Sequence, residues 1–127
     1  MRRYIIMVVF ASLLCLIDYA CLYNGFSGIE SISIQKDDHS KTTMDHGKIS
    51  SITGILNRAD HEPYTVYKLA VQPTYNIHLS YKDKPTEKLT IHKDFGTHTS
   101  LIKSDAKDGY FKVNKKQTEK ILNLLLD

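Results

Sequence analysis

Six histidines in a chain of 127 residues are the densest source of chemistry in this sequence. His78 and His92 are the pair whose spacing matters most. Both fall on the polar side of an alternating pattern, in Tyr75-Asn76-Ile77-His78-Leu79-Ser80-Tyr81 and in Leu89-Thr90-Ile91-His92. If Leu79 faces Ile91 across a hairpin, His78 stands directly opposite His92, and a two-residue slip makes them diagonal. Direct cross-strand neighbours have Cβ atoms about 5 Å apart. Two imidazoles at that spacing can share Zn²⁺ or Cu²⁺ once one or two further ligands arrive; Asp94 and His98 are close in sequence. The plainer expectation is an exposed sheet face that tolerates histidine. A second group, Asp37-Asp38-His39 with Asp45-His46, offers the oxygen ligands that Ca²⁺ takes. It has no EF-hand spacing, and turn chemistry with a helix N-cap accounts for it.

Cys21 is the other residue with chemistry attached. It follows Arg2 and Arg3, an apolar run from Tyr4 to Ile17, and Asp18-Tyr19-Ala20. A basic start before an apolar stretch is the pattern of an export signal or short anchor. The run is shorter than the ~20 residues that cross a bilayer comfortably. A carboxylate deep in hydrocarbon is costly, which places Asp18 at the outer interface. Three fates compete: lipidation of Cys21 after cleavage behind Ala20, retention as an uncleaved anchor, or cleavage near Gly25-Phe26-Ser27-Gly28. Ala20-Cys21 suits a bacterial lipoprotein signal, whereas Asp18 and Tyr19 do not. Each route puts the body outside the cytoplasm, and the first two hold it at the outer face of the membrane. Residues 1–26 are therefore expected to be signal or anchor, and residues 27–127 a single extracytoplasmic domain.

Other chemistries find no support. Both cysteines, Cys15 and Cys21, belong to the leader, so the body has neither a thiol nucleophile nor a disulfide. No Gly-x-Ser-x-Gly or His-Glu-x-x-His occurs. Asp94-Phe95-Gly96 matches a kinase tripeptide without the glycine-rich and catalytic loops that give it meaning. Without Arg2, Arg3 and Asp18 the body keeps 15 basic and 13 acidic residues, too even a balance for a nucleic-acid partner. The absence of body cysteines and of Asn-x-Ser/Thr sites, with abundant lysine and isoleucine, leans toward a low-GC Gram-positive source.

The elements that must position these residues read from periodicity. Ile32 and Ile34 alternate with polar neighbours as a strand, and Lys41 to Met44 returns beside it. Asp45 caps a helix over His46 to Arg58, with Ile49, Ile52 and Leu56 on one face. Tyr64 to Val71 is a further strand candidate. Tyr75 to Tyr81 and Leu89 to His92 form a hairpin across the turn Lys82 to Glu87, with Tyr75, Ile77, Leu79 and Tyr81 toward the core. Leu101-Ile102 and Tyr110 to Val113 follow as strands. Asn114 with Gln117 makes a variant capping box, opening a helix that turns Thr118, Ile121, Leu122 and Leu125 to one side. The economical fold is α+β, an antiparallel sheet of five or six strands with two helices on one face.

This order of elements resembles the YhfM-like domain of small exported Bacillus lipoproteins. The likeness rests on Ala20-Cys21, the opening strand from Ile29 to Ile34, a helix followed by the Tyr75–Tyr81 hairpin, and Gly109 to Asn114 running into a leucine-rich helix. The resemblance implies an exported lipoprotein or anchored module and brings no catalytic residues. The expected function is a non-catalytic binding module of the cell envelope. It would contact a protein partner or envelope component through its sheet face or an exposed edge strand. A metal-binding envelope protein using His78 and His92, and a small enzyme with an unrecognised site, are the alternatives.

Overall fold

A computed structural model of the protein describes residues 24–64, 67 and 72–126. Among them seven strands and two helices follow the order β1 (Ile29–Lys36), β2 (His39–Thr43), α1 (His46–Arg58), β3 (Asp60–Glu62), β4 (Tyr75–Tyr81), β5 (Glu87–Gly96), β6 (Thr99–Ser104), β7 (Tyr110–Asn114) and α2 (Lys115–Leu126). The strands form one sheet in the order β2-β1-β4-β5-β6-β7-β3, antiparallel at every pairing. The α+β expectation of an antiparallel sheet with two helices on one face is met, but the sheet has seven strands among the described residues rather than the five or six expected. β3 is a strand that periodicity does not predict: three residues pair with β7 at the edge. The strand expected over Tyr64 to Val71 falls almost entirely outside the described residues, as does the leader.

Both helices start where capping chemistry places them. The Asp45 carboxylate accepts the Lys48 backbone N–H at 2.9 Å, satisfying one of the orphan donors of α1. In α2 the Asn114 side chain accepts from the Gln117 N–H at 2.7 Å and the Gln117 side chain accepts from the Asn114 N–H at 3.0 Å, the reciprocal cap expected from the sequence. α1 carries the chain from edge strand β2 to edge strand β3. Thirteen helical residues rise about 20 Å, enough to traverse most of a seven-stranded sheet on the diagonal. Its Ile49, Ile52, Ile55 and Leu56 and the Ile121, Leu122 and Leu125 of α2 close over Ile32, Ile34, Ile77, Leu79, Leu89, Ile91, Ile102, Phe111 and Val113. Tyr75 joins this core, as its alternation required, and Tyr81 packs at the margin.

Phe26 also belongs to the core, 1 % exposed and edge-on to Phe111 at 5.5 Å between ring centroids. The packed body therefore includes Asn24 to Phe26, ahead of the boundary expected at residue 27. Gly109 fixes the other side of the same end. Its φ is +75°, and an added Cβ would drive into the Glu62 carbonyl oxygen and lie 2.6 Å from the Pro63 Cα. Gly28 has nearly the same φ, +73°, with nothing within 4 Å. Gly28→Ala should cost only the left-handed backbone penalty, about 1–2 kcal/mol. Gly109→Ala should cost clearly more, because β3 must also move off β7. Urea denaturation of the two variants side by side measures the difference; equal midpoints would contradict the close approach.

Candidate functional site

The strand register decides where the two central histidines go. β4 and β5 pair as Tyr75↔Ile91, Ile77↔Leu89 and Leu79↔Glu87. His78 therefore stands opposite Lys88, and His92 opposite Leu101 of β6. The two imidazoles share a face but lie four positions apart along the ladder, about 13 Å at the strand rise. Ligands of one Zn²⁺ sit about 2 Å from the metal, so His78 and His92 do not share an ion in this register. That corrects the pairing expected if Leu79 faced Ile91. The reason is physical: the apolar face survives any even slip, and Glu87, read as turn, extends β5 instead. Among the described residues no three His, Cys, Asp or Glu side chains are grouped to hold a metal. Asp37 supplies a positive-φ turn residue at 52° and Asp45 is the N-cap of α1, so the acidic-histidine group serves local structure. Cys21 lies outside the described residues.

His92 departs from the exposed position expected of it. It is 8 % exposed, and burial holds its pKa below the ordinary imidazole value. Among the described residues its Nδ1 has no hydrogen-bond partner. Leu101, opposite it, is fully buried yet lies outside the core under the helices. Both sit on the far face of the sheet, as does Tyr110. There Tyr67, from the connection between β3 and β4, packs edge-on against Tyr110 and Phe95, each at 5.0 Å. The Tyr67 hydroxyl donates to Glu62, and Glu62 is ion-paired with Lys112 at 2.8 Å. The hydrogen bond to Glu62, then that to Tyr67, and after them the Glu62 charge push the Lys112 pKa up. One half of the far face is thus capped by an aromatic and ionic patch.

The other half is polar, exposed at Gln35, Ser40 and Thr42 and half-buried at Ser31, Ser33, Asn76, His78 and Ser80. Ser31, Ser33 and Gln35 of β1 alternate with core-facing Ile32 and Ile34, and Ser33 bonds Thr42 of β2 hydroxyl to hydroxyl at 2.7 Å. Ser40 continues the row on β2, and Asn76, His78 and Ser80 carry it across β4. Eight outward positions on three neighbouring strands hold no Asp, Glu, Lys or Arg, in a chain that is 24 % charged. These positions present hydrogen-bond donors and acceptors, with Lys88 of β5 at their border opposite His78.

A second polar cluster lies at the margin of the core. The Glu87 carboxylate, 3 % exposed, accepts from the Tyr81 hydroxyl at 2.7 Å, from Ser104, and from Lys107 Nζ at 2.9 and 3.0 Å. Burial raises its pKa, but the three donors and the Lys107 charge outweigh burial and hold it below the ordinary carboxylate value. Tyr81 is pushed up, first by burial and then by its donation to Glu87. Lys107 Nζ also lies 4.2 Å from the Phe26 ring centroid. A carboxylate so engaged stays ionised and holds structure; it is not poised to exchange a proton near neutrality. Sequence reading missed this cluster because Glu87 sits in a run of turn residues and its partners come from three other places.

Among the described residues no helix is long and apolar enough to cross a membrane. The chain matches no protein-family model, no curated protein and no solved structure.

Proposed function

We propose that this protein is an extracytoplasmic, membrane-associated module that binds a component of the cell envelope without catalysing a reaction on it. The observation that carries the reading is the division of the sheet. Two helices fill one face, and over β2, β1 and β4 the other presents an uncharged polar surface. A leader with Arg2, Arg3, the apolar run and Cys21 supports attachment at the outer membrane surface, by lipidation or by retention. The resemblance to YhfM-like lipoprotein domains belongs to the same proposal.

His78 lies in the polar row on β4, opposite Lys88 of β5, so His78→Glu changes the charge in the proposed contact without touching the core. Immobilised wild-type protein, His78→Glu, and a helix-side control, Lys116→Glu, are exposed to solubilised envelope. The expected result is a component retained by wild type and control and lost by His78→Glu, with little change on adding salt, because an uncharged contact is not screened. Equal retention by all three would move the contact off this face. No enrichment by wild type would count against the module.

A further inference from the structure

The first described residues are locked onto the body. Asn24 donates its backbone N–H to the Asn57 carbonyl at 3.2 Å and its side-chain amide to the Leu56 and Ala59 carbonyls, both at 2.9 Å. It thereby satisfies acceptors that the end of α1 leaves open. The buried Asn57 side chain then clasps Phe26, accepting its N–H at 2.7 Å and donating to its carbonyl at 2.8 Å. Gly25 lies beside Lys107, whose Cε is 3.9 Å from where a Gly25 Cβ would be. The chain therefore enters the domain at the end of the sheet where β4 turns into β5 and β6 into β7.

Three Cα steps separate Cys21 from Asn24, a reach of at most about 11 Å. We propose that this end, formed by the turns over residues 82–86 and 105–109, lies against the bilayer surface, with the strands running away from it. The inference rests on the anchored-leader reading and adds to it the surface that meets the membrane. The opposite end, at the turn over residues 97–98, is separated from Glu87 by the length of β5, about 30 Å. Within the two turns Lys82, Lys84 and Lys107 are balanced by Asp83, Asp105 and Asp108. The contact is set by the short tether and not by attraction to anionic lipid. The polar face of β2, β1 and β4 then stands side-on to the bilayer, free for its partner.

The chain contains no Trp, so a single introduced Trp reports its own position. Asp83→Trp and His98→Trp, both in exposed turns, are made in the full chain, purified from membranes and reconstituted into phosphatidylcholine vesicles carrying a headgroup nitroxide. Quenching should be several-fold stronger for Asp83→Trp than for His98→Trp and unchanged when phosphatidylglycerol or salt is added. Lys82→Trp and Thr97→Trp repeat the comparison if either first variant folds poorly. Equal or reversed quenching in vesicle-bound protein would overturn the orientation while leaving the anchor standing. Quenching that requires anionic lipid would overturn the tether as its cause. Protein recovered free of vesicles would overturn the anchored reading and the orientation together.

Discussion

Phe26→Ala should destabilise the domain by about 3–5 kcal/mol, the usual result of truncating a fully buried aromatic. Domains of this size have about 5–15 kcal/mol in total, so the variant should unfold at a markedly lower urea concentration. The size of the effect follows from where the ring sits. It fills space against Phe111, lies under Lys107 Nζ, and is held by the two hydrogen bonds between the Asn57 side chain and its own backbone, one accepted and one donated by Asn57. Asn57→Ala should also be costly, because it leaves the buried Phe26 N–H and carbonyl unpaired. The two substitutions act on one contact, so their combined cost should fall short of the sum. Additivity in the double variant would show that the ring and the clasp are independent. A near-neutral Phe26→Ala would show that the body begins after this segment. The result also bears on the leader, since cleavage near Gly28 would remove Phe26 from the fold.

Lys107→Met should cost about 2–3 kcal/mol, somewhat below the 3–5 kcal/mol typical of a fully buried pair, because the lysine side chain is 23 % exposed against 4 % for Glu87. The methionine keeps most of the apolar stem over Phe26 while leaving the carboxylate without its counter-charge. The pH dependence separates this electrostatic loss from lost packing. The folded-state pKa of Glu87 is depressed below its ordinary value of 4.5. Its stabilisation is present above the unfolded pKa and is lost as pH falls through the folded one. Wild-type stability should therefore decline on acidification below about pH 4.5, and Glu87→Gln should flatten that part of the decline. In Lys107→Met two donors remain but the cation is gone, so the acid-sensitive part should shrink. Tyr81 acts at the other limb. Its raised pKa gives a stabilisation that is complete below the unfolded pKa near 10 and is lost as pH rises through the folded value. Denaturation midpoints across pH for wild type, Glu87→Gln and Lys107→Met test these limbs. An unchanged acid limb in Glu87→Gln would assign the acid sensitivity to other carboxylates.

What could be read in the sequence was whatever local chemistry dictates. Asp45 and the Asn114–Gln117 pair marked helix starts because capping is satisfied within three residues. Alternation gave the correct inward face of β1, β4 and β5, since the strand period leaves no freedom there. Register was different. Ile77 can face Leu89 or Ile91 with the same parity, and only the tertiary partners of Glu87 select the first. Those partners lie 6, 17 and 20 residues away, beyond the reach of any local pattern. β3 has no pattern of its own and exists because β7 offers it an edge. Phe26 reads as one aromatic in a Gly- and Ser-rich stretch; its burial depends on Asn57, 31 residues on. His92 shows the limit of alternation, which predicts a polar face but not that Tyr67 and its neighbours cap half of it. The metal pairing of His78 and His92 depended on register and moved with it, whereas the polar row around His78 did not.

The most direct test of a membrane-tethered envelope module is the intact mass of the protein extracted from membranes of cells that express the full chain. The expected result is membrane-bound protein that retains Asn24 to Phe26, either beginning at a diacylglyceryl-modified Cys21 or at the unmodified full-length mass. Protein found only in the soluble extracytoplasmic fraction, with a new N-terminus near Gly28, would contradict it. Such a product would lack both the tether and the Phe26 ring that closes the core.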